Sequence, residues 1–146
     1  IGVRLVGSEM CIRDRKMNKV AVVYSSYYTD VIQGLLEGIK NTIDESFNVD
    51  YFKVPGSWDI IYKTNTLSKE YKIFIAVGVI CKGDTDHYEY ISNSVANGLL
   101  NLTINKNLYI ANCILNVHNL EQANIRATQE LNKGSEAANA INLLFT

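Results

Sequence analysis

The residues from Gly83 to Tyr90 are the clearest candidates for chemistry in this chain, because a polar loop runs directly into a histidine. The loop begins with Gly83-Asp84-Thr85 and contains His87, one of only two histidines. It follows the apolar, β-branched stretch 73–80, which predicts a strand buried on both faces, and it precedes a helical apolar spacing. A loop that opens a helix presents free backbone N–H groups and a positive dipole end, which bind phosphate. This order of residues predicts chemistry on a phosphorylated substrate.

Each residue of this loop also has a purely structural interpretation. Histidine is the usual side chain for proton transfer near neutral pH, but His87 could equally be a surface helix residue without a role. Asp86 and Glu89 are spaced as a capping box at the start of the helix. Residues 83–85 could hold phosphate or simply form a tight turn. From these residues alone, both interpretations stay open.

Further candidates fall in loops expected at the same end of the fold or on the last pair of helices. Tyr27 and Trp58 could stack on a planar heterocycle, or they could pack at a subunit contact. Arg126 and Lys133 could supply positive charge to a phosphate, although solvated surface charges are the commoner case. Asp59 would stabilise the dipole of its helix. These residues alone do not choose between binding and structural roles.

The overall composition is that of an ordinary globular domain. The 146 residues are 47% hydrophobic and 20% charged, with a formal net charge of −1, so no basic field attracts nucleic acid or an anionic membrane. No apolar run reaches the roughly 18 residues of a transmembrane helix. Cys11, Cys81 and Cys113 are odd in number and lack a C-x-x-C spacing, which argues against disulfides and structural zinc. A reducing, cytoplasmic location is the resulting expectation.

The first sixteen residues differ from the rest of the chain. Residues 5–15 read L-V-G-S-E-M-C-I-R-D-R and resemble the translation of a transposon adapter used to prepare sequencing libraries. We expect residues 1–16 to be a non-native, disordered segment, Met17 to be the natural start, and residues 17–146 to form a single domain. A genuine disordered arm is the alternative. The same residues in an independently amplified genomic copy would contradict the adapter hypothesis.

The apolar periodicity predicts four strands that alternate with helices. Strands are expected at 20–24, 49–54, 73–80 and 108–115. Helices are expected from a Thr29 or Asp30 cap, from a Ser57 cap to about residue 69, after the 83–90 loop to about residue 105, over 121–131, and from Gly134 onward. This alternation predicts an α/β fold: a three-layer αβα sandwich with a four-stranded parallel sheet, flavodoxin-like and doubly wound. Ligands of such sheets bind beyond the carboxyl ends of the strands.

Several blocks of residues resemble those of the lumazine synthase family. Residues 55–60 read P-G-S-W-D-I, against P-G-A-F-E-I in the family. Residues 77–90 read V-G-V-I-C-K-G-D-T-D-H-Y-E-Y and match the family's G-x-V-I-R-G-x-T-x-H-[FY]-[DE]-Y block. Residues 120–126 and 132–138 resemble its E-Q-A…R and N-K-G-x-E-A-A elements, with a short deletion between them. The order and spacing of these blocks fit from about residue 19 to residue 144.

The resemblance implies condensation of 5-amino-6-ribitylaminouracil with 3,4-dihydroxy-2-butanone 4-phosphate to 6,7-dimethyl-8-ribityllumazine, with loss of phosphate and water. This is the penultimate step of riboflavin biosynthesis, and it implies a transferase without a metal or organic cofactor. It also implies a homo-oligomer whose active sites are shared between adjacent subunits, since the family forms pentamers and sometimes icosahedral shells. Two alternatives remain: an archaeal-type riboflavin synthase, and a catalytically idle shell protein that binds lumazine or flavin.

The resemblance also implies a role for each candidate residue on the pyrimidine side of the site. Tyr27 would stack on the pyrimidine ring. The segment after the second strand would hold the ring and its ribityl chain, and the end of the third strand would contact the uracil through its backbone. These two groups are Ser57, Trp58 and Asp59, and Val79, Ile80 and Cys81.

The remaining implied roles concern the phosphorylated substrate. Asp84 and Thr85 correspond to the phosphate loop, and His87 to the proton-transfer residue. Arg126 of a neighbouring subunit would bind phosphate, with added charge from Lys133. Glu136 is expected to orient the arginine.

Several positions depart from the family pattern, and three of them bear directly on the site. Lys82 stands where arginine is common, and Asp59 shortens the usual glutamate by one methylene. Asn112 occupies a substrate-binding position at which many members carry an aromatic side chain against the four-carbon substrate. We therefore expect an altered pocket around Asn112.

Overall fold

The computed structural model describes residues 18–146, and there it confirms the predicted alternation of strands and helices. The strands are β1 (Lys19–Ser25), β2 (Asn48–Val54), β3 (Ile73–Cys81) and β4 (Tyr109–Val117). The helices are α1 (Thr29–Thr42), α2 (Trp58–Leu67), α3 (His87–Lys106), α4 (Leu120–Arg126) and α5 (Lys133–Phe145). The expectations for residues 1–16 and for Met17 lie outside the described residues.

The four strands form one parallel sheet in the order β2-β1-β3-β4, covered on both faces. Side chains of α1, α4 and α5 share one apolar cluster with the sheet, and side chains of α2 and α3 share the other. The central strand β3 is buried from Ile73 to Ile80, as its β-branched sequence requires. The predicted three-layer α/β fold is therefore confirmed.

The sheet order creates a crevice at the carboxyl end of β1. The chain passes from β1 to β2 on one side and then returns to β3 on the other side of β1. Such a switch point opens a crevice between the two diverging connections, where ligands of α/β sheets bind. The loops that follow β1, β2 and β3 all begin at this edge.

The caps predicted for α1 and α2 are wrong. The residue that precedes α1 is Tyr28, whose φ of 58° lies in the left-handed region, and no side chain caps this helix. Neither Thr29 nor Asp30 is therefore the cap. Ser57 does precede α2, but its side chain makes no cap hydrogen bond, because its hydroxyl is buried against β3.

The helix predicted over residues 121–131 is shorter than expected. It ends at Arg126, where the N–H of Ala127 turns back to Asn124 O at 3.1 Å. The Asn132 side chain then takes the Ala127 carbonyl and caps α5. The Ala127 carbonyl, which a longer α4 would use for its own hydrogen bond, is therefore bound to Asn132, and α5 begins at Lys133.

Candidate active site

The turn after β1 presents Tyr27 to solvent, with 64% of the residue exposed. Ser26 ties this turn to the end of β2, because its N–H donates to Val54 O at 2.9 Å and its hydroxyl to Pro55 O at 3.1 Å. The left-handed backbone of Tyr28 completes the turn at a cost of about 1–2 kcal/mol. The sequence thus holds an exposed aromatic ring at the switch point.

The segment after β2 lies beside this ring. The Gly56 N–H donates to Asp59 Oδ2 at 3.0 Å, which fixes the carboxylate close to the start of α2. A Cβ added at Gly56 would lie 3.6 Å from Asp59 Oδ2 and 3.7 Å from two carbons of the Tyr27 ring. Trp58, next in the chain to Asp59, is 56% exposed. The structure therefore brings Tyr27 and Asp59 together, with an exposed indole next to them in sequence.

Ser57 points inward from this segment onto β3. A Cβ added at Gly78 would lie 2.5 Å from Ser57 Oγ, so the glycine leaves room for the hydroxyl. Ser57 Oγ is buried and has no hydrogen-bond partner within residues 18–146. An unpaired buried hydroxyl of this kind costs about 1–3 kcal/mol. Both the donor and the acceptor of this hydroxyl are therefore unused within residues 18–146.

The end of β3 leaves one backbone edge without a strand beside it. The ladder between β1 and β3 ends at the pair Tyr24–Val77, whereas the ladder with β4 continues to Cys81–Val117. The β1 side of the backbone at Val79, Ile80 and Cys81 therefore faces the switch point rather than a strand. The Val79 and Ile80 side chains are buried, which leaves the backbone as the polar surface there.

The loop that follows β3 is open to solvent. All residues from 82 to 87 are exposed, and nothing lies within 4 Å of a Cβ added at Gly83. Thr85 Oγ1 accepts a hydrogen bond from the His87 N–H at 3.3 Å. Asp84 and Thr85 therefore lie at the N-terminus of α3, where the helix dipole favours anions.

The predicted capping box in this loop is wrong. Asp86 has φ −73° and ψ 2°, an orientation from which its side chain makes no cap hydrogen bond. Glu89 turns instead towards Lys82, with Nζ and Oε1 3.6 Å apart. This exposed ion pair bridges the base of the loop that carries His87, which is the first residue of α3.

Arg126, Lys133 and Asn112 come together at a different place, the outer edge of β4. They line one cavity of about 250 Å³ together with Glu136 and residues 113–117 of β4. Asn112 is exposed there, and its Oδ1 accepts from the Ile114 N–H at 2.9 Å, which satisfies an amide of this edge strand. The structure thus groups two cations with a carboxamide beside an open strand edge.

The two cations have different partners in this cavity. Lys133 Nζ lies 2.9 Å from Glu136 Oε2. Arg126 Nη1 donates to Gln122 O at 2.9 Å, within its own helix. Glu136 pairs with Lys133 rather than with Arg126, contrary to the expectation that it orients the arginine.

The predicted site residues therefore form two groups. The first follows β1, β2 and β3 and includes Tyr27, Asp59 and His87. The second lines the β4 cavity and includes Arg126 and Lys133. Arg126 and Lys133 also line a second cavity, of about 520 Å³, to which Asn139 contributes. Within residues 18–146, neither this cavity nor the β4 cavity includes a residue of the first group.

A buried thiol also borders the second group. Burial, with a smaller contribution from the negative charge of Glu136, raises the pKa of Cys113 to about 12. The thiol stays protonated at neutral pH and is a poor nucleophile. It acts as a small apolar residue, as its sequence context indicates.

Two further features of the described residues concern metal sites and membrane-spanning helices. In the part of the chain from 18 to 146, no three His, Cys, Asp or Glu side chains cluster closely enough to hold a metal ion. No helix there is long and apolar enough to cross a membrane.

Sequence reasoning missed Asn132 as a contributor to this region. Its side chain is almost completely buried and bonds to both α1 and the end of α4. The N-K-G block contains this residue, but its partners lie elsewhere in the chain. Only the packing of α5 on α1 reveals the contacts.

Comparisons with known proteins identify the family to which this chain belongs. The profile of the family described as 6,7-dimethyl-8-ribityllumazine synthase matches residues 17–145. The chain is 36% identical to the 6,7-dimethyl-8-ribityllumazine synthase of Buchnera aphidicola subsp. Baizongia pistaciae, over 91% of this chain and 93% of that protein. It is 35% identical to the enzyme of that name from Zymomonas mobilis (88% and 95% covered) and 34% identical to that from Afipia carboxidovorans (84% and 80%). The chain therefore belongs to the 6,7-dimethyl-8-ribityllumazine synthase family.

Proposed function

We propose that this protein condenses 5-amino-6-ribitylaminouracil with 3,4-dihydroxy-2-butanone 4-phosphate to form 6,7-dimethyl-8-ribityllumazine, with loss of phosphate and water. The observation that carries the proposal is the meeting of three loops at the switch point of the sheet. One offers an aromatic ring, one a carboxylate, and one an exposed helix N-terminus with His87. These groups match a planar heterocycle with a polyol chain and a phosphorylated co-substrate.

The pyrimidine occupies the side of the crevice between β1 and β3. The Tyr27 ring stacks on the heterocycle, since an exposed aromatic face is free for it. The free backbone edge at Val79, Ile80 and Cys81 pairs with the uracil amide groups. Ser57 and the segment with Trp58 and Asp59 hold the ribityl hydroxyls.

The phosphorylated substrate occupies the N-terminus of α3. Asp84 and Thr85 lie in the exposed loop there, and its free backbone N–H groups receive the phosphate. An acidic side chain repels phosphate, so the role of Asp84 is through its backbone amide. His87, on the first turn of the same helix, transfers protons as the imine forms and the ring closes.

A neighbouring subunit completes the site. Arg126 and Lys133 form a cationic patch at the β4 edge, apart from the α3 N-terminus of the same chain. Arginine binds phosphate in bidentate fashion, and a homo-oligomer brings this patch, with Asn112, to the crevice of the next subunit. We propose a homopentamer, with or without assembly into a larger shell, that acts in the cytoplasm.

Much of the rate enhancement in this scheme comes from positioning. The reaction joins an amine to a ketone, expels phosphate and closes a ring, so it needs two bound substrates and proton transfer more than a strong nucleophile. Effective molarities from orientation can supply several kcal/mol of the barrier, on the order of 7–11 kcal/mol at most. His87 and the helix N-terminus supply part of the remainder.

The proposed function is tested by mixing the purified protein with both substrates and following the absorbance or fluorescence of the lumazine. We expect product well above the uncatalysed background. A parallel reaction with the lumazine as the sole substrate detects a riboflavin synthase. Product in the second reaction but not in the first would overturn the proposal, as would no product in either.

A further inference from the structure

The segment between Arg126 and Lys133 is held in place by one buried side chain, that of Asn132. Residues 128–131 of this segment are exposed, but Asn132 is only 8% exposed. Its Nδ2 donates to Gly34 O on α1 at 2.9 Å and to Ala127 O after α4 at 3.1 Å. One amide group therefore joins the end of α4 to α1.

The same side chain also starts α5. Asn132 Oδ1 accepts from the Ser135 N–H at 3.1 Å, which makes Asn132 the N-cap of this helix. The three hydrogen bonds use both donors and the acceptor of the carboxamide. The side chain thus fixes Ala127, the residue that follows α4, relative to the first turn of α5.

Glycines on α1 and α5 leave the space that this side chain occupies. A Cβ at Gly38 would collide with the Asn132 carboxamide, and a Cβ at Gly134 would collide with Leu35 O. Ser135 adds a hydrogen bond from its hydroxyl to Gly38 O at 3.2 Å. The close approach of α5 to α1 therefore depends on small residues around Asn132.

Lys133 occupies a position that helix stability does not favour. It is the first residue of α5, where the positive end of the dipole opposes a cation. Glu136, one turn later, offsets this charge through the ion pair at 2.9 Å. Lys133 and Arg126 therefore line the same cavity although a cation at this position does not favour α5.

We propose that Asn132 is a positioning residue for the phosphate site. It sets the separation and direction of the Arg126 guanidinium and the Lys133 ammonium, which lie on either side of it in the chain. The inference rests on the proposed function, because the anion served by these two cations is the phosphate of the four-carbon substrate. Asn132 does not contact that substrate.

The chain contains a matched control on the same helix. Asn142 Nδ2 donates to Thr42 O at 2.8 Å, and its Oδ1 accepts from the Asp44 N–H at 2.9 Å. Asn142 thus ties α5 to the end of α1 by the same chemistry as Asn132. It lies nine residues beyond Lys133, roughly 13 Å along the helix.

The test compares Asn132→Ser with Asn142→Ser in steady-state kinetics and thermal unfolding. Serine retains an N-cap acceptor but removes the amide donors. We expect Asn132→Ser to raise KM for the phosphorylated substrate about tenfold, because small displacements of binding groups have effects at least this large. In Asn132→Ser, KM for the pyrimidine and kcat at saturation should stay within about twofold of the wild-type values. Asn142→Ser should change none of the three kinetic parameters, despite a similar loss of thermal stability.

An unchanged KM in Asn132→Ser, or the same shift in both variants, would overturn the inference. If the serine variant does not fold, Asn132→Asp retains the size of the side chain and the N-cap acceptor. Asn139→Asp is its control for charge, because Asn139 lines the second cavity formed by Arg126 and Lys133. We then expect the larger KM shift in Asn132→Asp; equal shifts would contradict positioning. A wild-type protein that forms no lumazine would instead refute the proposed function.

Discussion

The Ser57 hydroxyl packs against Gly78 at the point where β3 leaves its ladder with β1. The glycine leaves room for the hydroxyl, which is buried without a hydrogen-bond partner in the described chain. Because Ser57 belongs to the segment that follows β2 at the crevice, we propose that its hydroxyl serves a ligand. We interpret it as a binding group for the pyrimidine substrate.

Replacing Ser57 by alanine separates the effect of its hydroxyl on stability from its effect on substrate binding. We expect Ser57→Ala to stabilise the protein by about 1 kcal/mol, because an unpaired polar group is removed. KM for the pyrimidine should rise roughly threefold to tenfold, as for the loss of one hydrogen bond of about 1 kcal/mol. Chemical denaturation and steady-state kinetics measure the two quantities.

Thr64 on α2 provides the control for this variant. Its Oγ1 is likewise buried and unpaired within residues 18–146, and it belongs to neither group of site residues. Thr64→Val should raise stability without a change in KM. A Ser57→Ala enzyme with unchanged KM for the pyrimidine would contradict the binding role.

The secondary structure was predictable because the strands differ in composition from the segments around them. β1 and β3 are apolar, β-branched runs bounded by polar turns, and a parallel sheet buries both faces of such strands. The placement of His87 and Tyr27 at carboxyl ends followed from the same pattern. The caps of α1 and α3 were not predictable, since they depend on backbone angles: Tyr28 adopts a left-handed conformation, and the Asp86 side chain makes no cap hydrogen bond.

His87 should lower turnover when removed, without abolishing it. We expect His87→Ala to reduce kcat by on the order of 100-fold, the lower range for a general acid–base group, while substrate positioning remains. His118→Ala is the control, because this second histidine is exposed and lies next to Tyr88, with ring centroids 6.1 Å apart. Equal kcat values for His87→Ala and the wild type would rule out a role in proton transfer.

Arg126 should act on the affinity for the phosphorylated substrate. We expect Arg126→Ala to raise its KM roughly 10- to 100-fold, since hydrogen bonds to charged groups contribute about 1.5–3 kcal/mol. Arg126→Lys should give an intermediate value, because charge is retained but bidentate geometry is lost. Lys106→Ala, a change at the far end of α3, controls for lost surface charge. An unchanged KM in Arg126→Ala would refute the phosphate role.

Cys113 should make stability fall with rising pH in the alkaline range. Burial raises the pKa of this thiol from 9.0 to about 12 in the folded chain. Between these values the unfolded thiol loses its proton while the folded thiol keeps it, so the free energy of unfolding decreases as pH rises. Cys113→Ala should weaken this decrease in denaturant titrations at pH 8 and about pH 10.5, and Cys81→Ala, at a half-buried site, should not. Parallel pH profiles for wild type and Cys113→Ala would contradict this account.

The grouping of site residues was only partly predictable. Sequence spacing placed Arg126 and Lys133 close together in the chain, but their shared cavity with Asn112 depends on how α4 and α5 pack beside the β4 edge. The hydrogen bond from Asn132 to Gly34 joins residues 98 positions apart in the chain. Contacts of this range leave no local pattern in a single sequence, because either partner could satisfy its hydrogen bonds in many other ways.

In the proposed site, one subunit supplies the crevice with His87 and its neighbour supplies Arg126. Co-refolding His87→Ala and Arg126→Ala subunits in equal amounts tests this arrangement, with the phosphorylated substrate below the KM of the arginine variant. If sites form between neighbours in a ring, about one quarter of them combine an intact His87 with an intact Arg126. We predict recovery of roughly a quarter of the wild-type rate, well above either variant alone. A rate equal to the average of the two separate variants would contradict the shared site.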